Sequence, residues 1–260
     1  MPIHHPAHHA VFRLREQRLA RSAKPFLARG SRALRCIHCR IPATHCLCDL
    51  HPHTSAQAGV CLLMSDIEPL KPTNTGWLIA DVLPENTFAF MWARTMVDSD
   101  LLELLNDPQW QPYVVFPAEF VAPERVVTQL PVSTDDTTAT TITTKRPLFV
   151  LLDATWSEAR KMFRKSPYLN RLPVLSLQSE QLSRYRLRRS KRDDHYCTAE
   201  VAALCLELAG ESHAAQTLDA WFDVFSAHYL AAKRLIPVDR GDMAHQHLQN
   251  LQNLHHLPNG

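Results

Sequence analysis

Several short stretches of the chain are apolar almost without interruption: GVCLLM from Gly59, TFAFMW from Thr87, PYVVFP from Pro112 and PLFVLLD from Pro147, with PVLSL from Pro173 a shorter fifth. Runs too short for a helix and lacking polar alternation predict strands buried on both faces. Between them the spacing changes to a helical period. NTGWLIADVL, DSDLLELLND with Asp or Ser at its start, and TWSEARKMFRKS each predict a helix, and the last third is helical throughout. TAEVAALCLELAG and TLDAWFDVFSAHYLAAKRL carry apolar residues three and four apart, and in the second Leu218, Trp221, Phe222, Phe225, Tyr229 and Ala232 share one face. Alternating strands and helices with continuous apolar strands predict an α/β domain with a mostly parallel sheet covered on both faces.

The ends of the chain break this pattern. Residues 1–30 are basic and rich in histidine, with some helical tendency, and read as a flexible tail in which His4, His5, His8 and His9 are solvated, metal binding by the four being the lesser reading. Residues 31–55 contain a cysteine-rich module and 56–240 the main domain. Residues 241–260, rich in His, Gln and Asn, read as a loose tail. Within the main domain the Thr-rich stretch 133–144 reads as an exposed loop or insertion.

Composition adds limits. Of 260 residues, 45% are hydrophobic and 21% charged, which suits a globular fold, and the formal net charge of +2 is too small to identify a partner. No apolar run is long enough to span a membrane, and the basic start lacks the apolar segment of a secretory signal, so a reducing, cytoplasmic setting is expected. A disulfide framework is then the wrong reading for seven cysteines. Four of them fall within thirteen residues as C-x2-C-x6-C-x-C: Cys36, Cys39, Cys46 and Cys48. Two closely spaced thiolate pairs can close a tetrahedral zinc shell, a structural site because four protein ligands leave no open position. An iron–sulfur cluster is the lesser metal reading, and unrelated thiols in a loop the bland one.

Two further stretches carry chemistry. In LFVLLDATWSEARKM, Asp153 ends a buried strand, where open α/β sheets hold ligands, and Thr155 with Glu158 fits a capping box. Free N–H groups at that helix start would suit a carboxylate. The same residues would serve equally to end a strand, cap a helix and, in Trp156, fill the core. On the helix that follows, Arg160 and Arg164 share one face, and Lys161 and Lys165 another. The segment SRYRLRRSKR from Ser183 concentrates Arg184, Arg186, Arg188, Arg189, Lys191 and Arg192 around Tyr185, a composition able to neutralise phosphates and stack a base. A solvated charged loop is the alternative. Neither a glycine-rich phosphate loop nor a Ser-His-Asp order is present.

Together these stretches resemble the DTW-domain proteins, the tRNA-uridine aminocarboxypropyltransferases. The Asp-x-Thr-Trp signature stands as Asp153, Ala154, Thr155 and Trp156. It is joined, in the family's order, by the Cys36–Cys48 cluster, EPLKPTNTGWLIADVL from Glu68, VVFPAE from Val114, SRYRLRR from Ser183 and TAEVAA from Thr198. The resemblance spans roughly residues 36–209 and is specific as an ordered set. It implies a SPOUT-like α/β fold with a knotted C-terminal part, S-adenosylmethionine as donor and a uridine in tRNA as acceptor. It further implies catalytic roles for Asp153, Thr155 and Trp156, donor contacts from these and from Leu63, Asn74, Thr75, Phe116 and Pro117, and RNA contacts from Arg184, Tyr185, Arg186, Arg188, Arg189 and Lys191. Ser65 departs from the pattern, standing where many relatives carry histidine. Two other functions fit the same residues less fully: a SPOUT-type RNA methyltransferase, and a non-catalytic zinc-containing RNA-binding module.

Overall fold

The computed structural model describes residues 8–24, 26, 33–131, 145–177 and 196–255. His4, His5, the Thr-rich stretch 133–144 and the basic segment with Arg184, Tyr185, Arg186, Arg188, Arg189 and Lys191 lie outside the described residues.

Among the described residues six parallel strands form one sheet: β1 (Gly59–Met64), β2 (Thr87–Met91), β3 (Trp110–Val115), β4 (Val126–Val127), β5 (Arg146–Asp153) and β6 (Val174–Leu175), in the order β2-β1-β5-β3-β6-β4. The continuous apolar runs follow from burial on both faces. Val60, Leu62, Met64, Phe149 and Leu151 point to one core, and Cys61, Leu63, Leu148 and Val150 to the other. The second core is closed by α3 (Ser99–Asn106, N-capped by Asp98) and α4 (Trp156–Arg164). The first is closed by α2 (Gly76–Val82), α5 (Thr198–Leu208) and α6 (Ser212–Arg234). No helix among the described residues is long and apolar enough to cross a membrane.

Three sequence-based expectations about the ends are corrected. Within the expected tail 1–30, Ala10–Ala20 is a helix, α1, whose Val11, Phe12 and Leu14 join the first core. His9 is not solvated: its Nδ1 accepts from the Phe12 N–H at 3.1 Å as N-cap, and its Nε2 lies 3.3 Å from buried Asp81. Within the expected loose tail 241–260, Met243–His255 is a helix, α7, that lays Leu248 and Leu251 into the same core. Its polar composition hid an apolar pair spaced three apart, enough for one docked face. The cysteine-rich module packs against the same core, to which Cys39, Ile41, Leu47 and Cys48 belong.

Chain order takes β1 outward to β2, then across to β3 on the far side of β5. The carboxyl ends of β1 and β5 therefore meet at the reversal of strand order, where open α/β sheets form a ligand crevice. The Ser65 N–H donates to the Asp153 carbonyl at 3.0 Å, fixing the two strand ends side by side.

Candidate active site

Asp153 ends β5 on the face shared with Phe149 and Leu151, so its side chain turns toward α2 and α5. It is 4% exposed. Asn74 Nδ2 donates to its Oδ2 at 2.7 Å, and the Thr198 hydroxyl donates to its Oδ1 at 2.7 Å. Asn74 in turn accepts the Trp77 N–H at 3.0 Å, and Thr75 Oγ1 accepts the Ala199 N–H at 3.4 Å. One carboxylate thus ties the starts of two helices to the end of a strand. Burial raises the Asp153 pKa above the ordinary carboxylate value; the Asn74 and Thr198 hydrogen bonds and Lys71 act in the opposite sense, and the charge of Glu68 adds to the rise. Lys71 pairs with Glu68 beside it.

Gly76 explains how the carboxylate fits. A Cβ on this residue would stand 2.6 Å from Asp153 Oδ2, below any tolerable contact. Gly76 is needed for close approach, a role that sequence spacing does not reveal.

The turn after Asp153 forms as its residues predict. Thr155 caps α4 in a complete capping box, its Oγ1 accepting the Glu158 N–H at 3.4 Å and donating to Glu158 Oε2 at 2.6 Å. Trp156 does not fill the core: it is 48% exposed. It stacks on Phe116 with ring centroids 5.5 Å apart, and Phe116 stacks on Phe163 at 4.3 Å. Phe120 meets Trp156 edge-on at 5.7 Å, and exposed Pro117 follows Phe116 out of β3. The ligand edge therefore has two halves, a polar one around Asp153, Asn74, Thr75 and Thr198, and an aromatic one around Phe116, Pro117, Thr155 and Trp156. Leu63 joins neither, since its side chain lies in the second core at 1% exposure. Ser65, by contrast, sits at the junction, with a buried hydroxyl that makes no hydrogen bond among the described residues. Nearby Cys197 is pushed up to about 11 by burial and stays a thiol, which disfavours thiolate chemistry here.

The four clustered cysteines converge as their spacing suggests. Their sulfurs lie within 4.8 Å of one another, with Cys36–Cys48 at 3.5 Å and Cys39–Cys46 at 3.7 Å. A tetrahedral shell with arms of about 2.3 Å has edges of roughly 3.8 Å, so the set could hold a zinc ion, whereas a disulfide needs about 2.05 Å. The knuckle between the first pair is closed by the Arg40 N–H donating to the Cys36 carbonyl at 2.9 Å, with Arg40 at φ 65°.

Sequence reasoning passed over Arg40, which joins this knuckle to the candidate site through the loop bearing Asn74. Its guanidinium is buried against the Trp77 ring at 4.2 Å and donates from one nitrogen to the Lys71 and Asn74 carbonyls at 3.2 and 3.1 Å. Burial lowers its pKa to about 9, leaving it charged at neutral pH. The loop bearing Asn74 is thereby clamped from below. Only its place directly after Cys39 marked it out in the sequence.

A parallel α/β domain with a candidate ligand edge at the β1/β5 switch point and a four-cysteine knuckle packed into its core defines the class. Residues 33–230 match the DTW domain, and the chain belongs to that family. Among curated proteins, tRNA-uridine aminocarboxypropyltransferase 2 of Drosophila melanogaster is 25% identical over 223 residues, covering 83% of this chain and 80% of the relative. No solved structure matches the chain significantly.

Proposed function

We propose that the protein modifies tRNA, moving the 3-amino-3-carboxypropyl group of S-adenosylmethionine to N3 of a uridine within a SPOUT-like fold. The observation that carries this reading is the family match, which spans every residue of the ligand edge, in company with the relative named for that activity. The donor's sulfonium makes the γ-methylene electrophilic: its C–S bond breaks as the N3–C bond forms, and the electron pair leaves with methylthioadenosine.

The residues present suit both substrates. The half-exposed Trp156 over Phe116 offers a stacking surface beside Pro117, and the unpartnered Ser65 hydroxyl offers a polar contact at the same edge. Trp156, Thr155, Phe116 and Pro117 would shape the donor site, Asn74 and Thr75 would hold its polar end, and Leu63 would contribute only as backing from the core. Asp153 would accept the N3 proton or orient the uracil. Each carboxylate oxygen has two acceptor positions, of which Asn74 and Thr198 each take one. Burial that raises its pKa makes it a better base once ionised. The four cysteines would hold a structural zinc, and the segment Arg184–Lys191 would add phosphate contacts by its charge alone. A cytoplasmic setting agrees with thiolate ligands and a tRNA substrate.

Unmodified tRNA incubated with enzyme and donor, digested and examined by mass spectrometry, should yield aminocarboxypropyl-uridine with methylthioadenosine. Methylated nucleoside with S-adenosylhomocysteine would assign a methyltransferase instead, and tRNA binding with no product a binding module.

A further inference from the structure

We infer that the outward face of α4 is a second RNA contact, a track of positive charge leading away from the ligand edge that holds phosphates flanking the target nucleotide. This rests on the tRNA-modifying reading above. Helix α4 buries Ala159, Met162 and Phe163 and leaves Arg160, Lys161, Arg164 and the C-cap Lys165 exposed. They form two rows, each pair one turn or about 6 Å apart along the axis. Among the described residues no carboxylate forms an ion pair with any of the four. The helix's own Glu158 is occupied by Thr155. Four cations in six residues stand out in a chain whose 28 basic and 26 acidic side chains nearly cancel.

Basic residues at the end of a helix have an ordinary explanation, since they complement the helix dipole. That accounts for part of the set but not for its neighbours. The Arg160 guanidinium lies over the Phe120 ring at 4.7 Å, and Phe120, 36% exposed, meets Trp156. Exposed cations running into half-exposed aromatic rings are the combination that holds single-stranded nucleic acid, charge taking the phosphates and rings the base faces. An acidic protein would need the charge but not the rings.

The test is a titration of tRNA with the full chain in which Arg160, Lys161, Arg164 and Lys165 are replaced by glutamine, across a range of salt. The expected result is a loss of affinity of about tenfold or more at physiological salt. The slope of log affinity against log salt should become shallower by about 0.7–0.9 for each phosphate contact removed. Melting temperature and donor binding by calorimetry should stay at wild-type values. Should the quadruple variant fold poorly, the single variants Arg160→Gln and Lys161→Gln carry the same test, each expected to reduce the slope. Wild-type affinity and slope in folded variants would overturn the inference, as would polyglutamate binding to this face more tightly than tRNA at equal salt. The outcome is separable from the proposed reaction. A chain that modifies tRNA but is indifferent to the α4 changes keeps the reaction and loses the track; one that binds tRNA through α4 without forming product keeps the track and loses the reaction.

Discussion

At the scale of single residues, the site turns on how one buried carboxylate is satisfied. Asp153 receives hydrogen bonds from Asn74 and Thr198, and an asparagine in its place can keep both, because the Thr198 hydroxyl can rotate to accept an N–H. Asp153→Asn should therefore retain the fold. The sign of the linkage points the same way: a carboxyl whose pKa is raised on folding contributes most below its unfolded pKa, and that contribution is lost as pH rises through the folded value. At neutral pH the asparagine form should melt no lower than wild type, while turnover falls by roughly 10²-fold or more if Asp153 is the base. In the wild type, the acid limb of the turnover profile should then lie above the ordinary carboxylate pKa of about 3.9. A stable, fully active Asp153→Asn enzyme would reduce Asp153 to an anchor. Gly76→Ala makes the complementary test. Its methyl group would collide with Asp153 Oδ2, and the expected result is loss of activity with about 1–3 kcal/mol of stability, measured by urea unfolding.

At the scale of elements, the cysteine knuckle acts through Arg40 on the loop that presents Asn74. Two aromatic rings enclose the guanidinium, Trp77 at 4.2 Å and Phe225 at 5.7 Å, and its remaining nitrogens find no partner among the described residues. It is held by position more than by pairing. Metal analysis should find about one zinc per chain, and removing it should loosen both the knuckle and the active edge. Arg40→Ala should lower activity with the zinc retained, whereas Cys39→Ser should lose both; Arg40→Ala with unchanged kinetics would uncouple the module from the site. A second clamp works from the other side. Asp81 receives the Trp221 indole N–H at 3.0 Å and lies within 3.3 Å of His9 and 3.2 Å of His51, binding α1, α2 and α6 together. Burial alone would raise its pKa, but the imidazoles of His51 and His9 beside it win and hold it well below the carboxylate range.

At the scale of the whole molecule, the two chain ends brace the knuckle and the sheet. His228, on α6, bonds to the His45 carbonyl at 2.7 Å and to His245, on α7, at 3.1 Å, and His45 bonds to the Ile236 carbonyl at 2.9 Å. Arg240 pairs with Asp49 and donates to the Cys46 carbonyl at 3.1 Å. From the stretch read as a loose tail, His245 backs His228 and the Gln252 amide donates to the Leu50 carbonyl at 3.4 Å, so that stretch adds to the support of the cysteine module. Truncation after Arg240 should remove α7, expose apolar surface on the first core and lower the melting temperature by several degrees, with weaker retention of zinc against a chelator. An unchanged melting temperature would return α7 to the status of an appendage.

The sequence by itself determined what depends on neighbours along the chain. The strands could be read from unbroken apolar runs, the start of α4 from Thr155 and Glu158, and the cysteine set from its spacing, because each is a local pattern with a local cause. Asp153 was found as the end of a strand, and Asn74 and Thr75 by resemblance. Tertiary structure decided who meets whom. Asn74 lies 79 positions before Asp153 and Thr198 45 after it, and only the placement of β1 beside β5 brings them to one carboxylate. Gly76 and Arg40 acquire their roles in the same way, one as space and the other as a clamp, and neither space nor a distant contact leaves a periodic trace. The alternation of faces also separated Leu63 from Asp153, since neighbouring registers on a strand point to opposite cores. The docking of the helices at the two ends was missed for a related reason: a few buried residues suffice to dock a polar helix once a core exists to receive them.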